Sequence, residues 1–308
     1  MRAAAIEEFG GPEALRLADL PEPKVGPDYI LIRARAAGVN PVDCKTRRGS
    51  LEDRFPHFFP LVPGWDVAGV VEQVGPVETG FSEGDEVVAY CRKDYVGAGT
   101  YAELVSVKAV QAAAKPPALS FEEAAALPLA GLTAFQALHE KLEIQAGETV
   151  LIHAASGGVG RFAVQLARLA GARVIGTARA ANHDAVRDLG AAEVIDYSEQ
   201  DVADVVRASH PAGVDAVLDL VGGEALERSP ELLADGGRIA SVSQPAENVR
   251  YLFVRPDSQQ LAHLGSLADS GQLRVSLAET LSLEEAGRAH ELLESGRVSG
   301  KLALSIAG

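Results

Sequence analysis

A chain of 308 residues with 47% hydrophobic and 23% charged residues is long enough for two domains and a sizeable core. Its net charge of −15, from 28 basic and 43 acidic residues, repels phosphate backbones and anionic lipid, which argues against nucleic-acid and membrane partners. No apolar run approaches the ~20 residues that cross a bilayer, the stretch 1–8 turns acidic too soon for a secretory signal, and two cysteines, Cys44 and Cys91, make no disulfide framework, so a cytoplasmic location is expected.

Short β-like stretches open the chain at 2–7, 29–37, 66–74, 85–90 and 101–107. Turns such as Gly10-Gly11-Pro12 and Pro21-Glu22-Pro23 separate them, so a compact β-rich domain is expected. Lys115-Pro116-Pro117 breaks this pattern. Ser120 and Glu123 match the S-x-x-E capping box and start a helical region, and 133–141 reads as a further helix. Apolar, β-rich stretches then recur at 150–154, 173–177, 193–196, 214–220, 238–242 and 250–254, with helical patterns between the first five. That alternation predicts βαβ units on a parallel sheet. An amphipathic helix at 257–270, a second capping box at Ser282 and Glu285, a helix at 283–295 and a strand at 301–306 complete the chain.

The first βαβ unit carries the strongest functional signal. The strand from Thr149 runs into Ser156-Gly157-Gly158-Val159-Gly160, and an apolar-periodic helix follows. Gly157 and Gly158 let backbone approach a pyrophosphate, and Gly160 lets the helix pack against the strand. The helix N-terminus offers N–H groups and partial positive charge to an anion. Ala155 stands where G-x-G-x-x-G has its first glycine. At the end of the second strand, an NAD site carries an acid for the ribose 2′-hydroxyl. Here Thr177-Ala178-Arg179 is followed by no acid before Asp184. The Arg179 guanidinium therefore reads as the partner of a 2′-phosphate, which makes NADPH the expected cofactor; an exposed loop arginine is the alternative. Val221, Gly222 and Ser241 end the fourth and fifth strands, where ligands of parallel sheets gather, although ordinary βα turns read the same way.

Several further stretches carry a family resemblance. They are Gly38-Val39-Asn40-Pro41-Val42-Asp43, Pro63-Gly64-Trp65-Asp66-Val67-Ala68-Gly69-Val70-Val71, Gly80-Phe81-Ser82-Glu83-Gly84-Asp85-Glu86-Val87, Gly131-Leu132-Thr133-Ala134-Phe135, the stretch Ala154 to Gly160, and Gly300-Lys301. Together they resemble the medium-chain dehydrogenase/reductase superfamily, in its zinc-free quinone oxidoreductase (ζ-crystallin-like) branch. The resemblance implies an α/β protein in which a Rossmann doubly wound parallel sheet is inserted into a GroES-like β-rich domain. Its expected parts are 1–116, a nucleotide domain at 117–256, and a tail at 257–308 that returns to the first domain. An active site in the cleft and a homodimer are implied too.

The same resemblance sets the chemistry expected. Zinc-bearing relatives place ligands where this chain has Asn40, Trp65 and Leu129, none of which ligates zinc. Without that Lewis acid, simple alcohol oxidation is disfavoured, and a quinone or an α,β-unsaturated carbonyl becomes the expected hydride acceptor. Asn40 is an amide donor for the acceptor's carbonyl oxygen. Lys45 stands where some relatives carry a tyrosine; it steadies developing charge or is simply exposed. Tyr197 resembles a tyrosine near the adenosine, and Phe253 and Val254 a segment beside the nicotinamide; packing explains all three equally. Thr133 approaches the nicotinamide ribose or caps its helix, and Lys301 reaches the cofactor or is solvated. Phe55, Phe58 and Phe59 with Trp65 wall an apolar pocket or form core. Alternatives to the leading reading are an enoyl-thioester reductase and an NADPH-binding protein without turnover.

Overall fold

The structure, a computed structural model, describes residues 1–77 and 80–306. The chain forms two compact units. The first takes Met1–Leu129, Arg255–Gly271 and the stretch from Val275 onward; the second takes Ala130–Val254 with Gln272–Arg274.

The second unit is built on a six-stranded, wholly parallel sheet. Across it lie Glu193–Ile195, Arg173–Thr177, Thr149–Ile152, Val214–Asp219, Leu233–Ser241 and Arg250–Tyr251. In order of appearance that is 3-2-1-4-5-6, so the winding reverses between the first and fourth strands. A ligand crevice opens at that point in such sheets. Val150, Leu151 and Ile152 are all fully buried, as expected for a strand covered on both faces. The helix Gly158–Leu169 buries Phe162, Ala163, Val164, Leu166 and Ala167. Two elements differ from expectation. The strand expected at 250–254 is only Arg250–Tyr251. The helix expected at 133–141 begins at Pro128, a residue whose fixed φ suits a first helical position, and passes at Ala137–Leu142 into a wider π turn.

In the first unit, a seven-stranded sheet runs Leu277–Ser282, Lys301–Ser305, Tyr29–Val39, Asp66–Val74, Glu86–Tyr90 and Ala112–Ala114, with Leu104–Lys108 also on Tyr29–Val39. The strand Lys301–Ser305 pairs antiparallel with the end of Tyr29–Val39, Leu302 opposite Val39 and Ala303 opposite Gly38. Periodicity had not shown that return. Both capping boxes form. Ser120 N–H donates to Glu123 Oε2 at 2.9 Å and Glu123 N–H to Ser120 Oγ at 3.2 Å; Ser282 N–H donates to Glu285 Oε2 at 3.0 Å. The helix Phe121–Ala125 packs on strands 29–39 and 66–74. A Cβ on Gly38 would lie 2.3 Å from the Ala125 carbonyl oxygen. The crossing between units therefore falls at 129/130, not at the proline break at 116/117. Helix Pro41–Arg47 was not expected either; seven residues are too few to show a helical period.

Candidate active site

The glycine turn is shaped by carbonyl contacts. Ala154 takes φ +50°, a left-handed conformation uncommon outside glycine, and its carbonyl accepts the Gly157 N–H at 2.9 Å. A Cβ at Gly160 would sit 2.2 Å from the Ala154 oxygen, so only glycine lets the helix start this close to the strand. At Gly157 the same test gives 3.2 Å, a tight but milder contact. No side chain caps the helix Gly158–Leu169. Its first-turn N–H groups, at Gly158, Val159 and Gly160, thus have no partner within the helix. Ser156 is half-buried, and its carbonyl accepts Arg161 Nε at 3.1 Å.

A cavity of about 420 Å³ opens at the carboxyl ends of the strands. His153, Ala154, Thr177, Tyr197, Val221 and Arg228 contribute to its wall. Thr177 is buried, and its Oγ1 accepts the Ala154 N–H at 3.1 Å. Tyr197 is exposed. His153 went unnoticed as a site residue in the sequence. It is 5% exposed, and its Nε2 has no hydrogen-bond partner among the described residues. Burial pulls its pKa down, against the charge of Asp219, so the ring stays neutral. A buried, unpartnered ring nitrogen at a cavity wall is what a polar ligand would satisfy. The signal available was a histidine wedged between an apolar strand and a glycine turn.

Arg179 is exposed, and its guanidinium has no ion pair or hydrogen bond among the described residues; only its carbonyl is used, accepting the Asn182 N–H at 2.8 Å. Other arginines of this unit are committed: Arg173 to Glu193, Arg187 to Asp184, and Arg228, on the cavity wall, to Asp201. Asp196, from the third strand's end, comes close, but it accepts the Ala180 and Ser198 N–H groups and the Ser198 hydroxyl.

Asp219 is the second residue the sequence left unremarked. Fully buried, it accepts the N–H groups of Val221 and Gly222 and the hydroxyls of Ser241 and Ser243. The expectation that Val221 and Ser241 offer backbone groups is thereby narrowed: the Val221 and Gly222 N–H groups are already used. Gly222 itself needs φ +83°. Phe253 and Val254 lie half-buried beyond the edge strand. Thr133 is buried inside the helix Pro128–Gln136, so it is not a cap.

The first unit holds a buried polar cluster. Asn40, 1% exposed, donates through Nδ2 to Asp66 Oδ2 at 2.8 Å. Its Oδ1 accepts from Lys301 Nζ, which also donates to the Val39 carbonyl at 3.0 Å. Lys301 is therefore buried and engaged, not solvated. The Leu129 N–H donates to Asp66 Oδ1 at 2.9 Å. Asp43 accepts the Asn40 N–H at 2.8 Å and the Tyr101 hydroxyl at 3.2 Å. Burial pushes Asp66 up to about 6, against the pull of Lys301, Asn40 and the Leu129 N–H. Asp43 is raised by the same cause, and Lys301 is lowered by burial against the two carboxylates. Lys45 is exposed on the helix Pro41–Arg47 and takes no part in these bonds. Burial pushes the Cys91 thiol up to about 12 and raises Cys44 as well, so neither is a ready nucleophile.

Positions 40 and 129 thus meet on Asp66, with Trp65 beside it. Among the described residues, no three His, Cys, Asp or Glu side chains form a group able to hold a metal ion. An amide, an indole and an aliphatic chain do not fit zinc. The aromatic loop divides. Phe55 packs edge-on to Trp65 at 6.1 Å between ring centroids, while Phe58 and Phe59 are 59% and 42% exposed.

Comparison with known proteins adds an independent line. Residues 26–117 match the alcohol dehydrogenase GroES-like domain, and residues 189–304 match a family described as zinc-binding dehydrogenase. A quinone-oxidoreductase homolog from Spinacia oleracea is 42% identical over 65% of this chain, and the chain spans 62% of that protein. The quinone oxidoreductase of Mus musculus is 34% identical over 99% of this chain and 97% of its own. Among solved structures, an NAD-dependent alcohol dehydrogenase superposes with TM-score 0.90 at 36% identity, covering 100% of both chains. The Escherichia coli quinone oxidoreductase complexed with NADPH gives 0.88 at 31%, covering 99% of this chain and 100% of that one.

Proposed function

The chain belongs to the medium-chain dehydrogenase/reductase superfamily, in its quinone oxidoreductase branch, and from that premise we propose a zinc-independent, NADPH-dependent reductase of quinones or α,β-unsaturated carbonyls. It is an oxidoreductase with a nicotinamide cofactor. The observation that carries the cofactor reading is the uncapped helix at Gly158 beside a cavity with an unpartnered His153 nitrogen.

Bound NADPH supplies the hydride. The N–H groups of Gly158, Val159 and Gly160 would hold the pyrophosphate, where helix-end charge favours an anion. Thr177 and Tyr197 would border the adenosine end. Arg179 would meet the 2′-phosphate; its guanidinium is uncommitted while Arg173, Arg187 and Arg228 are paired. The Asp196 carboxylate, which would otherwise favour a ribose hydroxyl, already accepts three hydrogen bonds from Ala180 and Ser198.

For the acceptor, Asn40 offers an N–H to the carbonyl oxygen that gains charge as hydride arrives. The product oxygen or carbon then needs one proton, which solvent can supply. Zinc independence rests on the donor set at 40, 65 and 129, not on any step through a metal.

The test is NADPH and NADH oxidation by chelator-treated protein across quinones, enones and enoyl thioesters. The reading expects quinone or enone turnover that zinc neither restores nor raises, with NADPH preferred. Turnover of thioesters alone would move the assignment to that class. Tight NADPH binding without any turnover would leave a nucleotide-binding protein.

A further inference from the structure

The Asn40 carboxamide is gripped from both ends by opposite charges. Lys301 donates to its oxygen, and its nitrogen donates to Asp66. A carboxamide can rotate by half a turn and exchange its two ends at little steric cost. Here that rotation would set N–H against an ammonium and oxygen against a carboxylate. Both grips are themselves anchored. Lys301 also bonds the Val39 carbonyl, and Asp66 also takes the Leu129 N–H.

The sheet brings these three residues together. Gly38 pairs with Asp66 on one side of the strand Tyr29–Val39, and Leu302 pairs with Val39 on the other. Asn40 follows that strand directly, so residues 40, 66 and 301 meet at one end of three neighbouring strands. Of the carboxamide's donor capacity, one Nδ2 hydrogen remains.

We propose that Lys301 and Asp66 are positioning residues that lock the Asn40 carboxamide in one orientation, leaving a single N–H for the acceptor's carbonyl oxygen. The assignment rests on the role given to Asn40 above. It replaces the expectation that Lys301 contacts the cofactor.

The test is a double-mutant cycle between Asn40→Ala and Lys301→Met, with Lys301→Gln and Asp66→Asn alongside. Measurements are kcat and KM for an enone, NADPH affinity by fluorescence titration, and thermal melting. Removing a positioned donor typically lowers kcat by about 100-fold or more, so Asn40→Ala should do so. Lys301→Met should lower kcat by at least about tenfold, with NADPH affinity unchanged. The double variant should be no slower than Asn40→Ala alone, because Lys301 acts through Asn40. Lys301→Gln, which keeps a donor toward Oδ1, should recover part of the loss. Asp66→Asn should show the same non-additivity, and it decides the matter where Lys301→Met does not fold. Losses that multiply in the double variant, weakened NADPH binding in Lys301→Met, or wild-type kcat in that variant would overturn the proposal while leaving Asn40's role intact. Wild-type kcat in Asn40→Ala would overturn both.

Discussion

Single atoms decide the nucleotide turn. The Ala154 carbonyl points at the place where a side chain on residue 160 would begin. Gly160→Ala must therefore push the helix away or tilt the turn, and overpacking of this kind costs about 1–3 kcal/mol. Lower denaturant stability together with weaker NADPH binding is the expected outcome. An alanine variant with wild-type values for both would show that the close approach is dispensable. In the role proposed for it, Arg179 works by charge. Removing one charge-assisted partner costs about 1.5–3 kcal/mol, or roughly 10- to 150-fold. Arg179→Ala should lower kcat/KM for NADPH by that factor and leave NADH almost unchanged. Equal losses for both cofactors would assign Arg179 a role unrelated to the 2′-phosphate. The glycine spacing and the missing acid before Asp184 were legible in the sequence, because both are local patterns. His153, Asp219 and the grip on Asn40 were not, because their partners lie on other strands.

At the scale of elements, the helix Ala286–Glu294 is tied to the helix Pro41–Arg47 by a buried polar chain. Tyr101 OH contacts His290 Nε2 at 3.2 Å, Arg47 Nη1 contacts His290 Nδ1 at 3.2 Å, and Arg47 Nη2 donates to Glu294 Oε1 at 2.7 Å. Arg47 and His290 are fully buried. Burial, with the Arg47 and Arg48 charges, holds the His290 pKa down at about 3. The unfolded chain takes up that proton near 6.5, so it binds more protons than the folded one between 6.5 and 3. Stability contributed by His290 is complete above that window and falls as pH drops through it, by about 1.4 kcal/mol per unit. Asp66 acts in the opposite sense. Folded, it keeps a proton up to about 6 that the unfolded chain releases near 3.8, so acidification across that range favours the fold. His290→Gln isolates the histidine. Between pH 8 and pH 5 the wild type should lose about 2 kcal/mol more than the variant, read from urea unfolding. Parallel pH profiles would place the proton uptake elsewhere. Neither helix boundary nor capping box announced this tie; the caps are local, whereas the chain of bonds joins residues 189 to 247 positions apart.

For the whole molecule, the returning strand Lys301–Ser305 matters most. It fills the edge of Tyr29–Val39 and delivers Lys301 to Asn40. Deleting residues 297–308 would leave unpaired backbone groups along that edge, buried leucines without their partners, and Asn40 without its cation. Loss of cooperative melting of the first unit, with aggregation on heating, is the expected result. A truncated protein that melts within a few degrees of the full chain would contradict it.

What the sequence determined alone was whatever repeats or sits locally: the alternation of strands and helices, the glycine turn, the capping residues and the missing acid before Asp184. These depend on backbone preference and side-chain chemistry within a few residues. Tertiary structure alone decided that Ala154's oxygen makes Gly160 obligatory, that Asp219 uses the N–H groups after its strand, and that Lys301 and Asp66 close on Asn40. Such contacts are set by sheet register, and register follows from burying the apolar faces of whole strands at once, which no short window of residues contains.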